Sequence, residues 1–284
     1  MTISRDLTDI RNHLYERAER LWAFAFWLPF SIQVAIVVAL WLGGTIVTSV
    51  TSAVAVVVPI AVYWFRDFAA SVAAKADKCR RLILYSDGLG REIPSTELAL
   101  VRSWGIGERL KEAPFVAPYY ASRLASGPNR LADIVTESAF FTGYLAEKVA
   151  TRMKIVLAVS VLLLVGALYA ASVGLTQSQN AVGVIAWITR TAASVIALLI
   201  SGDFALMLKR YQDLKNAADH AVGRCSRLRE EPTASVEQVA QAVEDYNLAV
   251  AKGPLLPGKL YKKYKEELNE AYRRSHGDAA GISS

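Results

Sequence analysis

The stretch Leu21–Phe65, LWAFAFWLPFSIQVAIVVALWLGGTIVTSVTSAVAVVVPIAVYWF, runs for 45 residues without an Asp, Glu, Lys or Arg. A membrane-spanning helix needs about 20 mostly apolar residues at ~1.5 Å rise each, so this run is too long for one span and predicts two. Gly43-Gly44-Thr45 divides it, and two adjacent glycines have the backbone freedom for a tight turn. Trp41 beside the turn is a residue type favoured at membrane interfaces. The expectation is a transmembrane hairpin; a buried core helix is the weaker alternative for so long an uncharged run.

A second run, Ile155–Gly202, holds 48 residues and one charge, Arg190. Gln177, Ser178, Gln179 and Asn180 form its polar turn, which predicts a second hairpin and four spans in all. The helices are expected to continue beyond the apolar runs. Past the apolar run nothing breaks the helix until Ser86-Asp87-Gly88, and Ile46 to Tyr85 makes a helix of 40 residues, or ~60 Å. Pro128 opens another helix that runs unbroken through Arg152 and Lys154 into Ile155.

Composition agrees with a mixed chain. Of 284 residues, 53% are hydrophobic and 20% charged, the net charge is +6, and mean hydropathy is +0.27. The short turns at 43–45 and 174–181 carry no Lys or Arg, whereas residues 66–154 carry fourteen and the first twenty residues four. By the positive-inside rule both termini and the central region face the cytosol, giving a multi-pass inner-membrane protein. The expected divisions are an N-terminal cytosolic or interfacial helix (1–27), hairpin one (28–65), a cytosolic insert (66–153), hairpin two (154–202) and C-terminal cytosolic helices (203–284). Within the first, Asp9 is expected to cap a short amphipathic helix, and Pro29 to open the first span. About two-thirds of the chain would lie in a cytosolic helical body, a proportion that favours a sensor or effector over a transporter.

The cytosolic segments have readable punctuation. Pro94-Ser95-Thr96-Glu97 starts a short helix ending near Trp104. Pro114, Pro118 and Gly127-Pro128 mark breaks. On the second helix Cys79 and Ile83 belong to an apolar stripe, with Lys75, Lys78, Arg80 and Arg81 assigned to other faces. Ser235-Val236-Glu237-Gln238 resembles a capping box opening Val236–Ala251. Leu260, Tyr264 and Leu268 line a closing helix, and residues 277–284 read as a tail. Two cysteines far apart in charged contexts do not suggest a disulfide, and the three histidines are dispersed, so no metal site is expected.

Arg190 is the one formal charge inside a predicted span. Such residues snorkel to the headgroups or face a pore or partner subunit, and both readings stay open. Gln33, Thr48 and Ser52 are further polar groups that could line a path or bond between helices. In the insert, Trp104, Tyr119, Tyr120, Arg123 and Arg130 combine aromatics that stack bases with arginines that meet phosphates, which a nucleotide site needs. Solvated arginines beside a packed loop would give the same pattern. No phosphate loop, zinc signature or nucleophile elbow is present, so neither an enzyme nor a cofactor is expected. Nothing points to duplex nucleic acid.

Leu14-Tyr15-Glu16-Arg17-Ala18, Tyr119-Tyr120-Ala121-Ser122, Arg130-Leu131 and the closing Leu256-Pro257-Gly258-Lys259-Leu260-Tyr261 resemble the SMODS-associated four-transmembrane effectors encoded beside cyclic-oligonucleotide synthetases in bacterial anti-phage defence. The resemblance covers nearly the whole chain. It implies an effector that disrupts the membrane when a cyclic oligonucleotide signals infection. The reading from the residues is an all-α integral membrane protein with two hairpins and long helices extending into a cytosolic bundle. It is expected to be a homo-oligomeric, pore-forming effector in the bilayer; the alternative is a non-conducting membrane scaffold whose cytosolic helices bind partner proteins.

Overall fold

The computed structural model describes residues 2–42, 45–104, 120, 122–177, 204–231 and 235–277. Among them the regular structure is all helical: α1 (Thr2–Leu42), α2 (Thr45–Leu89), α3 (Ser95–Arg102), α4 (Pro128–Gln177), α5 (Phe204–Glu230), α6 (Val236–Lys252) and α7 (Gly258–Gly277). α2 runs through Pro59 without ending, and α4 has no proline after Pro128. No Gly or Pro pair interrupts α2 until Gly88-Leu89-Gly90, where Gly90 takes φ +68°, the left-handed conformation that ends a helix. Pro128 occupies the first turn of α4, where its missing N–H leaves no helical bond unmade. At α6 the capping box is realised: the Gln238 backbone N–H donates to Ser235 Oγ, and the Ser235 N–H to Gln238 Oε1.

Two expectations about α1 are corrected. The helix is continuous from Thr2 to Leu42, so Asp9 does not cap it and Pro29 does not open a new one. Pro29 removes one backbone bond in a 41-residue helix, which the flanking turns carry across.

The larger correction concerns the spans. Among the described residues no helix is long and apolar enough to cross a membrane. The two transmembrane hairpins, the pore-forming assignment and the multi-pass inner-membrane location all rested on those spans and fall with them. Absence of formal charge is a weaker condition than apolarity over a full span. The uncharged half of α2 opens with Thr45, Thr48, Ser49, Thr51 and Ser52, and α1, α2 and α4 each join an uncharged half to a charged half in one helix.

The chain forms two compact units. Unit 1 comprises Met1–Glu19, Ala69–Lys148 and Arg210–Ser284. Its core is built from one stripe per helix: Leu7, Ile10, Leu14 and Ala18 on α1, Ala76, Cys79 and Ile83 on α2, and Val239, Val243 and Tyr246 on α6, all buried. Fully buried Leu131 and Ile134 from α4 and Tyr211 and Ala218 from α5 complete it. Packing is close in places. A Cβ on Gly88 would sit 2.7 Å from Leu131 Cδ1 and 3.0 Å from the Leu131 backbone. A Cβ on Gly143 would sit 3.3 Å from Ala218 Cβ. Aromatic rings of α4 and α7 interlock, with Phe140 and Phe141 5.6 and 5.9 Å from Tyr272.

Unit 2 comprises Arg20–Phe68 and Val149–Lys209. Phe24 meets Phe65 edge-on at 4.8 Å, and Phe26 meets Phe204 at 5.6 Å. Val57, Ile60, Tyr63 and Trp64 on α2 and Val159, Leu162, Val165 and Tyr169 on α4 are exposed.

Candidate ligand site

The spacing Asp77, Arg80, Arg81 puts a carboxylate one turn before two guanidinium groups on the same side of α2. Asp77 Oδ1 accepts from Arg80 Nε at 2.8 Å, and Oδ2 accepts from Arg81 Nε at 3.0 Å. Arg80 then reaches across to α6, donating from Nη2 to Asn247 Oδ1 at 2.8 Å. Arg81 Nη2 donates to the Asn247 carbonyl at 3.4 Å. The Arg80 guanidinium carbon lies 5.4 Å from the Tyr246 ring centroid, within cation–π range. That ring is anchored by its hydroxyl, which bonds Thr142 Oγ1 at 2.8 Å and Ser138 Oγ at 3.2 Å. One internal charge centre therefore joins α2, α4 and α6.

The centre is dry. The side chains of Arg80 and Asp77 are 10% and 8% exposed, and Asn247 is fully buried. Burial opposes the Arg80 charge, but the surroundings, with the paired Asp77 carboxylate among them, outweigh it and keep the guanidinium protonated above the ordinary arginine value. The adjacent Cys79 thiol is pushed up to about 11 by burial, against smaller opposing effects of which Arg11 is the largest. The thiol is therefore neutral and inert at neutral pH.

Three buried side-chain atoms have no hydrogen-bond partner among the described residues: Arg80 Nη1, Asn247 Nδ2 and Ser122 Oγ. Two of the three belong to the charge centre, and both of these are donors. An unmet buried donor is uncommon in a native interior and carries a desolvation penalty of roughly 1–3 kcal/mol. A groove of about 250 Å³ opens nearby between α5 and α6, lined by His220, Arg224, Asp245 and Tyr246. Tyr246 is thus shared between the groove and the centre.

The residues singled out in the sequence meet different fates. Tyr120 is buried. Arg130 is absorbed into a clip: Nε and Nη2 donate to the Asp87 carbonyl and Oδ1 at 2.9 and 2.8 Å, and Nη1 to the carbonyls of Ser122 and Leu124 at 3.1 and 2.6 Å. With its guanidinium edges so occupied, Arg130 fastens residues 122–124 to the end of α2. Trp104 is half-buried beneath the Lys75 ammonium, 5.9 Å from the ring centroid. Arg123 is exposed. Tyr119 and Arg190 lie outside the described residues; Gln33, Thr48 and Ser52 lie on α1 and α2, and their side chains are outside the described set.

Sequence reasoning assigned Arg80 to a face other than the apolar stripe and did not single out Asn247. A signal for Asn247 was present. The α6 stripe Val239, Val243, Asn247 places an amide where the helical period calls for an apolar residue. Arg80, one residue past Cys79 on the buried side of α2, gave a weaker sign. Both cysteines are free, and no group of His, Cys, Asp and Glu among the described residues could hold a metal ion. No family model, curated protein or solved structure matches this chain.

Proposed function

We propose that the chain is a signal-responsive helical effector whose unit 1 receives a small anionic messenger of the nucleotide class. The observation that carries this reading is the Arg80 centre. A buried ion pair contributes little net stability compared with apolar packing, and one left with unmet donors contributes less. Such a centre is well suited to a switch, because an added ligand changes the balance between two packings of α2 and α6. The tyrosines around it supply flat apolar walls and the guanidinium supplies the charge, the two chemistries that a nucleotide requires. In an anti-phage setting, the output would be growth arrest once the messenger appears.

Isothermal titration of the full chain with a panel of cyclic di- and trinucleotides tests the reading. Micromolar binding of one member, lost in Arg80→Met, is expected. Absence of binding across the panel by a folded protein would refute it. A second reading, a scaffold that docks partner proteins, draws on the exposed side chains of Ile60, Trp64, Leu162 and Tyr169 in unit 2. Under that reading Trp64→Ser removes partner binding and leaves nucleotide titrations flat.

A further inference from the structure

We infer that Arg80 Nη1 and Asn247 Nδ2 are the donor pair of a buried oxyanion site that takes a phosphoryl group. The inference rests on the reading of unit 1 as the messenger-receiving unit and names the atoms that would receive it. The two orphaned nitrogens belong to groups already joined by the 2.8 Å bond from Arg80 Nη2 to Asn247 Oδ1. One acceptor-rich group can therefore serve both. Among the described residues each lacks an acceptor and neither needs a donor, so the site calls for oxygen lone pairs.

The charge inventory selects an anion over a neutral water molecule. Among the described residues Arg80 and Arg81 both pair with the one carboxylate of Asp77, which leaves a surplus positive charge beside a buried guanidinium. Water would complete the hydrogen bonds and leave this surplus uncompensated. A phosphoryl oxygen meets both needs, and bonds from guanidinium to phosphate are among the strongest available. Tyr246 lines both the centre and the α5–α6 groove, where Arg224 is paired with Asp245 at 2.6 Å. Inorganic phosphate and the phosphodiester of a nucleotide share the recognised group, and the test separates them.

The test is thermal unfolding and isothermal titration of the full chain with inorganic phosphate at constant ionic strength, for wild type, Asn247→Asp and Arg123→Gln. Asn247→Asp replaces the orphaned amide nitrogen by a carboxylate oxygen and supplies the missing negative charge from within the chain. Wild type is expected to gain a saturable rise in melting temperature with millimolar phosphate. Asn247→Asp is expected to bind phosphate at least tenfold more weakly, and Arg123→Gln, altered at an exposed arginine, to bind as wild type does. If Asn247→Asp does not fold, Asn247→Ala with the same readout replaces it. A wild type indifferent to phosphate, or an Asn247→Asp chain that responds as strongly as wild type, overturns the inference. Titration of both chains with cyclic oligonucleotides separates the two claims. Nucleotide binding unchanged by Asn247→Asp sinks this site and leaves the messenger reading standing. Asn247-dependent phosphate binding with no nucleotide binding supports the site and sinks the messenger reading.

Discussion

Replacing Asp77 by Ala probes the charge centre most sharply, because its two guanidinium partners differ in exposure. Arg81 is 34% exposed, so once released it is resolvated and its loss is worth about 0–1 kcal/mol. Arg80 is 10% exposed and is left with an uncompensated buried charge. Breaking a buried pair from one side costs about 3–5 kcal/mol, so Asp77→Ala is expected to destabilise by roughly that amount. Arg80→Met alone leaves Asp77 paired with Arg81 and orphans Asn247 Oδ1, which costs about 1–3 kcal/mol. The double variant removes the stranded charge together with its partner and is expected to fall within about 1–3 kcal/mol of wild type, well above Asp77→Ala alone. Urea denaturation followed by far-ultraviolet circular dichroism measures all four corners of the cycle. Additive losses in the double variant would refute the reasoning, because they would mean that Arg80 does not depend on Asp77 for its charge compensation.

Gly88→Ala drives a methyl into the Leu131 side chain and backbone at 2.7–3.0 Å; with backbone on one side of the clash, a loss of about 1–3 kcal/mol in the same denaturation assay is expected. Arg130→Ala opens the clip between Asp87, Ser122 and Leu124. It should lower stability by about 1.5–3 kcal/mol and speed hydrogen exchange at residues 86–90. Burial pushes both Cys79 and Cys225 from the ordinary thiol value up to about 11, so neither is expected to react with a thiol reagent in the native protein at pH 8, and both should react in urea. Since these folded-state values lie above the unfolded ones, the stability they contribute is fully present below about pH 9 and is lost as pH rises through about 11. Tyr85, Tyr211 and Tyr272 are also raised, with burial the largest cause. They steepen the alkaline fall above pH 10, and a melting temperature that stayed flat from pH 9 to 11 would contradict this.

Helices were legible wherever local rules act alone. The run-on of α2 past Phe65, Pro128 at a first turn and the Ser235–Gln238 capping box are properties of a few neighbouring residues, and each is realised. The membrane assignment failed because it treated a charge-free run as an apolar helix, although hydroxyl side chains punctuate the opening of α2 and charged turns continue the same helices. The charge centre was not legible locally. Tyr120 was singled out for its chemistry and is buried, while the part played by Arg80 depends on which helix lies opposite. The contact from Arg80 to Asn247 joins residues 167 positions apart, and no local pattern encodes it. The out-of-period amide at Asn247 was a usable signal, since a polar residue on an apolar stripe has to find a buried partner.

Hydrogen exchange of the full chain with and without the cyclic-oligonucleotide panel tests the central claim most directly. The account expects one member of the panel to slow amide exchange on α2 around Asp77–Leu84 and on α6 around Val243–Asn247 together, because both helices hold the receiving atoms. No change with any member, or protection confined to segments that exclude both helices, would contradict it.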